Sequence, residues 1–435
     1  MVVCKNMKIL FILAHTNMKH TVFDEFVYTY YYPSLTLEQL VAITPNEHDV
    51  DVIDGRYQKI DYEWNGDIVG ISCNTVSANI AYEIADEFRR RGKTVVLGGW
   101  HPSLQPIEAK QHADSVVIGE AEISWPQLLK DYENGKMKPF YQSKTVDPKD
   151  IPCPKRKKQK HSLVFTPIQA TRGCPYGCKF CPVYKLEGQK LRARPVEQVV
   201  EEIKTISSKQ LFFVDNSLTI NPGYTKKLFY EMKELNKKFT CYGNINVLGG
   251  DDELLKLAAE AGCNLWLIGF ESVSQETIDD IGKTTNKVKE YENTVKKIHD
   301  YGMMVQGLFV FGFDKDTPEI FDKTLNAIYQ WRIDKAGFAI LTPFPGTTLY
   351  EQLEKEGRII TKNWMKYNLK NVVYKPKNMT VEQLFNGTNK LLNEFYSMSN
   401  LIRRNIQDEK INFKRFINRT LSEISSRELY KILGY

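Results

Sequence analysis

The chain has 435 residues, 42% of them hydrophobic and 26% charged, with a formal net charge of +6. That composition describes an ordinary soluble globular protein of two to three domains and excludes a disordered or low-complexity chain. The positive excess permits an anionic substrate or membrane surface without requiring either, and it is too diffuse to argue for nucleic acid.

Residues 8–14 form a continuous apolar run, the pattern of a strand buried on both faces. The run is too short to span a membrane, and no small-residue cleavage site follows, so neither a transmembrane segment nor a signal peptide is expected. Residues 34–44 read as a helix, and 50–53, 67–72, 94–97 and 115–118 as strands. Residues 78–91 form an amphipathic helix stopped by Gly92. Strand–helix alternation over 1–140 predicts an α/β, doubly wound, Rossmann-like domain. Residues 141–162, rich in proline and reaching the basic run Lys155–Lys158, read as a linker.

From 163 to 362 the alternation resumes. Strands are expected at 164–170, 210–214, 239–244, 264–270, 304–312 and 337–341, with helices at 196–207, 223–235, 252–261, 288–301 and 319–331. Six such units in one direction predict a partial (β/α)6 barrel of TIM type, open after the sixth strand, with function at the C-terminal strand ends. Residues 363–435 read as a mainly helical region, with helices at 380–398, 399–416 and 421–433. Basic residues between Arg403 and Arg419 give a surface suited to peripheral contact with anionic lipid, beside the plainer reading of a solvated helical face.

Three cysteines, Cys174, Cys178 and Cys181, follow the first barrel strand with C-x3-C-x2-C spacing. Eight cysteines without an export signal imply a reducing cytoplasm, where thiols serve metals or cores. A tight odd triplet cannot pair internally. A [4Fe–4S] cluster normally takes four cysteines, so three leave one iron open for chemistry. Gly173 and Gly177 allow tight turns around a cluster, and Pro175 and Pro182 stiffen the loop. The rival reading is a structural zinc site completed by a distant ligand such as Cys153. Cys73, Cys241 and Cys263 read as buried core positions.

The segment Thr171-Arg-Gly-Cys-Pro-Tyr-Gly-Cys-Lys-Phe-Cys181 resembles the cluster loop of radical S-adenosylmethionine (SAM) enzymes. The resemblance implies that Cys174, Cys178 and Cys181 hold a [4Fe–4S] cluster whose open iron binds SAM. It implies reductive cleavage to a 5′-deoxyadenosyl radical that attacks an unactivated C–H bond, with a reducing partner such as flavodoxin or ferredoxin. It also places Phe180 near the adenine. Leu265-Trp-Leu-Ile-Gly-Phe-Glu-Ser272 resembles the fourth-strand motif, which puts Glu271 near SAM, against the alternative of a buried structural carboxylate. Gly307-Leu-Phe-Val-Phe-Gly-Phe-Asp314 is similar to the fifth-strand motif, which puts Gly307 and Gly312 at the nucleoside, against the plain alternative of tight barrel turns. The second strand ends in Asp215-Asn216-Ser217 where the family usually reads Asp-Asp-Asn, leaving Asp215 as a cofactor-binding candidate or a loop cap.

Leu341-Thr-Pro-Phe-Pro-Gly-Thr347 and Asn363-Trp-Met-Lys-Tyr-Asn368 resemble the subgroup with an N-terminal cobalamin-binding domain, which includes hopanoid-lipid methylases. That resemblance implies cobalamin-dependent methyl transfer to a lipid or other natural product. The N-terminal domain has no Asp-x-His-x-x-Gly motif, so cobalamin stands against a vestigial domain. Ser72, Asn74, Gly98 and Gly99 lie at strand ends, where such a sheet binds ligands, and are the cobalamin-binding candidates. The aromatic stretch 26–33 suits a macrocycle, a substrate pocket or a domain interface equally. Two other functions remain open from sequence: a cobalamin-free radical SAM enzyme performing coupling, cyclisation or rearrangement, and a zinc-stabilised binding protein. No catalytic residue beyond the cofactor ligands is assigned.

Overall fold

The computed structural model describes residues 6–16, 34–156 and 165–400. The aromatic stretch 26–33, Lys157, Lys158 and the basic helices expected beyond residue 400 lie outside the described residues. Two six-stranded parallel sheets organise the chain. In the first, β1 (Lys8–Leu13), β2 (Asp49–Asp54), β3 (Ile68–Ser72), β4 (Thr94–Gly98), β5 (Ser115–Ile118) and β6 (Phe140–Gln142) lie in the order β2-β1-β3-β4-β5-β6. Alternate residues of β1 supply two separate cores. Ile9 and Phe11 meet Leu37 and Val41 of helix Leu35–Ile43, together with Trp125 of helix Ala121–Glu133. Leu10 and Ile12 face the other way, toward Ala81 and Phe88 of helix Ala78–Arg90. Helices on both faces explain the unbroken apolar run.

The stretch read as a linker is more structured than expected. It begins as the edge strand β6, paired with β5. Its basic run is anchored through Arg156, which donates to Glu38 at 2.8 Å, to Glu202 at 2.6 Å and to the Pro167 carbonyl at 2.8 Å. Arg156 thus ties helix Leu35–Ile43 of the first sheet to helix Val196–Thr205 beside the second. Isolated charges in a proline-rich run give no sign of such distant partners.

The second half starts with β7 (Thr166–Ile168), then a short antiparallel hairpin of β8 (Thr171–Arg172) and β9 (Arg192–Ala193). Next come β10 (Gln210–Phe213), β11 (Lys238–Tyr242), β12 (Cys263–Glu271), β13 (Met304–Phe311) and β14 (Lys335–Ile340). The order β14-β13-β12-β11-β10-β7 is sequential and parallel, so the sheet is a partial barrel with β7 and β14 at its free edges. In β13 residues 305, 307, 309 and 311 are buried while 304, 306, 308 and 310 are half-buried. The first set faces the helices and the second the barrel interior. The rings of Phe309, Tyr291 and Trp331 pack within 6 Å of Phe270 on the helical side. Helices Ile245–Gly250 and Gln275–Asp280 follow strand ends and escaped the periodicity, being only six residues each.

Past the barrel, a single turn at Trp364–Lys366 and a bridge between Ile359 and Tyr374 precede helix Val381–Phe395, which opens with a Thr380/Gln383 capping box. The Tyr396 hydroxyl donates to the Ala336 carbonyl at 2.8 Å and fixes the end of that helix to β14.

Candidate active site

The cysteines lie on the excursion between β8 and β9, at the C-terminal mouth of the barrel. Gly173 has φ +86° and a Cβ there would come within 2.1 Å of the Lys190 carbonyl oxygen, so only glycine closes the neck of this loop. Its N–H donates to Glu187 at 2.9 Å, and Cys174 N–H donates to the Gly188 carbonyl at 3.1 Å. The far side is held by Lys179, whose N–H donates to Ile281 O at 3.4 Å and whose carbonyl accepts from Leu349 N–H at 3.0 Å. Burial pushes all three thiols up, Cys181 to about 12, so metal binding must displace protons.

The three thiols interact electrostatically. A cubane takes one thiolate on each of three irons and leaves the fourth iron open, whereas structural zinc takes four ligands about one centre. Cys153 has Glu202, Arg194, Arg156 and Glu38 as its charged neighbours rather than the triplet.

Asp215 is 1% exposed and holds the base of the loop. Its carboxylate accepts from Ala170 N–H at 3.1 Å, from the Thr171 hydroxyl at 2.6 Å and from Thr171 N–H. These bonds occupy it in the loop-cap manner, two residues before Gly173. Asn216 donates to Glu187 at 2.7 Å and braces the same loop.

Glu271 ends β12 at a register shift, with φ +61°, and its carboxylate is paired with Lys283. Both side chains are largely buried, at 10% and 18% exposure. Gly269 makes room for this pair, since a Cβ there would lie 2.4 Å from Glu271 Oε1 and 2.8 Å from Lys283 Nζ. The Lys283 charge also favours the thiolates of Cys174 and Cys178, partly opposing burial, while the Glu271 charge disfavours those of Cys178 and Cys181. Sequence reasoning missed both Lys283 and Gly269. A lysine in a polar loop carries no local signal.

Phe180 meets Phe313 edge-on at 5.8 Å, beside a cleft of about 300 Å3 whose lining includes Leu341, Leu349 and Tyr374. Gly307 and Gly312, expected at the nucleoside, each have a packing reason for glycine. At Gly307 a Cβ would clash with Phe309 and crowd Phe270. Gly312 has φ +103°, and a Cβ there would lie 2.3 Å from the Tyr374 hydroxyl. The turn and the close approach of the later segment both require glycine there.

Asp316 holds that turn, accepting from Gly312 N–H at 3.0 Å, Phe313 N–H at 3.1 Å and the Thr277 hydroxyl at 3.1 Å. Burial pushes its carboxyl up to about 6, above an unfolded value near 3.9. A raised acid favours the protonated native state, so its contribution is full below about pH 4 and is lost as pH rises through 6. Asp316→Asn can keep all three contacts, its amide donating to Thr277. It should flatten the decline in melting temperature between pH 4 and 8; Asp215, also raised to about 6 by burial, supplies a remaining slope. An unaltered pH profile in the Asn variant would rule this out.

In the N-terminal sheet the order reverses between β1 and β3, which is where a doubly wound sheet opens a ligand crevice. The strand ends there are laced together: Ala14 N–H donates to Ser72 O at 3.0 Å and Cys73 N–H to Gly98 O at 3.1 Å. Gly99 has φ +97° and a Cβ would fall 2.6 Å from the Cys73 carbonyl and 2.9 Å from Ser72 Oγ. Gly98 has no such crowding, with the nearest atom to a Cβ at 3.7 Å. The Asn74 side chain caps its own turn, accepting from Ser77 N–H at 3.1 Å. Beneath these ends, buried His101 lies 3.3 Å from Glu108, which also accepts from the Trp364 indole at 2.8 Å. That triad joins the cradle to the segment beyond the barrel across 256 positions of sequence.

Comparison with known proteins agrees with this arrangement. Residues 168–328 match the radical SAM superfamily, 27–129 match the B12 binding domain, and 347–430 match a domain of unknown function, DUF4070. The bacteriochlorophyllide d C-12(1)-methyltransferase of Chlorobaculum tepidum is 32% identical over 400 residues, covering 88% of this chain and 87% of that protein. The bacteriochlorophyllide d C-8(2)-methyltransferase of the same organism is 35% identical over 365 residues, covering 78% and 80%. The cobalamin-dependent SAM radical enzyme OxsB, solved with aqua-cobalamin and SAM, shares the fold at 16% identity with a TM-score of 0.67, covering 99% of this chain and 72% of that one. Relatives of that length and identity set aside the zinc-stabilised binding protein and bring a [4Fe–4S] cluster, SAM and a B12 domain together. The chain belongs to the radical SAM superfamily, among the methyltransferases that join a radical SAM barrel to a B12-binding domain.

Proposed function

We propose that this enzyme methylates an unactivated carbon of a large, apolar lipid or natural product. Cys174, Cys178 and Cys181 hold the cluster, and Lys283 with Glu271 orients the amino-acid end of SAM. The cleft beside Phe180 takes the nucleoside. Ser72 and Gly99 form the floor on which cobalamin rests. The cluster supplies the electron that cleaves SAM, and cobalamin supplies a transferable methyl group. The observation that carries the reading is the placement of three thiols, one short of a closed cluster, at a barrel mouth against a ligand-binding sheet end.

The apolar substrate class rests on the barrel interior. Phe212 and Tyr242 lie 6.0 Å apart there, and Leu265, Leu308 and Val310 are half-buried on the same concave side. Half-exposed aromatic and aliphatic side chains in a cavity favour a ligand with large apolar area. Among the described residues no helix is long and apolar enough to cross a membrane. A reducing cytoplasm and an electron donor of the flavodoxin or ferredoxin type suit this chemistry.

The test is anaerobic reconstitution with iron, sulfide and cobalamin, followed by SAM and a strong reductant. About four irons per chain, retained corrinoid and 5′-deoxyadenosine are expected. Stoichiometric zinc without iron would defeat the cluster, and a cluster-bearing protein that retains no corrinoid would defeat methyl transfer in favour of a cobalamin-free reaction.

A further inference from the structure

Both strands of the hairpin that carries the cysteines end on the N-terminal domain. Arg172 of β8 donates to Glu122 at 2.7 Å and lies 3.5 Å from Glu120. Arg192 of β9 grips Glu120 with both terminal nitrogens, one at 3.0 Å. The two carboxylates follow β5 directly, at the same sheet end as Ser72 and Gly99. All four side chains are at most 14% exposed. Apolar residues could fill the same volume with equal or better stability, because buried ion pairs cost much of what they return. What a bidentate guanidinium–carboxylate pair adds is a fixed direction.

The contacts continue at both ends. On the cobalamin side, Gly119 N–H donates to Ser103 Oγ at 2.9 Å, and Ser103 in turn donates to the Gly99 carbonyl at 2.7 Å. On the cluster side, Arg192 donates to the Glu187 carbonyl at 2.9 Å, while the Glu187 side chain accepts from Gly173 N–H. An unbroken run of hydrogen bonds and short covalent links therefore connects Gly99 to Cys174. We propose that Glu120, Glu122, Arg172 and Arg192 are positioning residues, a clasp that fixes the cobalamin floor relative to the cluster loop. The proposal rests on the function proposed above. Methyl transfer between SAM and a corrinoid needs reacting atoms about 3–3.5 Å apart, which two loosely docked domains would not maintain.

SAM leaves two distinguishable products. S-adenosylhomocysteine remains when the methyl departs as a cation to reduced corrinoid. 5′-Deoxyadenosine and methionine remain when one electron cleaves the C–S bond and the radical takes a hydrogen. In reconstituted holoenzyme with SAM, cobalamin and reductant, Glu120→Gln/Glu122→Gln should lower S-adenosylhomocysteine roughly tenfold or more. 5′-Deoxyadenosine should stay within about twofold of wild type, since the cluster site is intact. Iron and corrinoid contents should not change. Glu122→Arg alone should lower S-adenosylhomocysteine, and the charge swap Glu122→Arg/Arg172→Glu should restore part of that loss. In apo-protein, amide hydrogen exchange across 119–125 and 171–193 should quicken in the Gln variant. An unchanged product ratio, or equal loss of both products, overturns the clasp. Wild-type protein that makes neither product would instead defeat the proposed function, and the exchange measurement still reads the clasp without any cofactor.

Discussion

Cys178→Ala is expected to abolish reductive SAM cleavage, with 5′-deoxyadenosine falling on the order of 10³-fold or more, to background. The loop offers three thiols and, among the described residues, no nearby His, Cys, Asp or Glu completes a metal-binding group with them. Losing one leaves two ligands for a cluster that already lacks its fourth. The fold should survive, because the backbone of the loop is pinned by Gly173, Lys179 and Asp215 rather than by the Cys178 sulfur. Circular-dichroism melting should therefore move by no more than the ordinary effect of a small substitution, about 1 kcal/mol. Iron analysis and product chromatography on the same sample separate cluster loss from unfolding. Cleavage retained in that variant would remove Cys178 from the ligand set.

The second large effect is at Lys283. Lys283→Met strands the Glu271 carboxylate in a largely buried position, and breaking a buried pair from one side costs about 3–5 kcal/mol. Melting should fall by roughly 10 °C. Glu271→Gln/Lys283→Met removes both charges and should recover most of that loss. It should not recover chemistry: with iron content normal, SAM cleavage is expected to stay down on the order of 10²-fold, the usual effect of deleting one preorganised charge. A double variant that cleaves SAM at the wild-type rate would reduce the pair to a structural role.

Much of the barrel was legible because short apolar runs and amphipathic helices alternate along the chain. In β13 the run Met304–Phe311 is apolar at nearly every position, and its alternation of buried and half-buried residues is seen only in the structure. The cysteine triplet was legible for a similar reason, since all its chemistry falls within eight residues. Gly307 and Gly312 stand in a motif, and their packing against Phe309 and Tyr374 could not be located from the chain alone. Asp215 was open between cofactor ligand and cap until its bonds to Ala170 and Thr171 were seen, 45 and 44 positions away. Arg156 read as part of a linker because Glu38 and Glu202 are distant in sequence.

The sequence by itself determined the two parallel α/β sheets, the open metal position and the direction in which the barrel faces, because each follows from spacing within one or two elements. Only the tertiary structure decided which charges meet. Lys283 reaches Glu271 across a turn, Arg172 and Arg192 reach Glu120 across a domain boundary, and Trp364 reaches Glu108 from the far end of the chain. An isolated charged residue looks solvated in sequence. Its partner is set by how two sheets dock, and that docking ties the hairpin that carries the thiols to the C-terminal end of the first sheet.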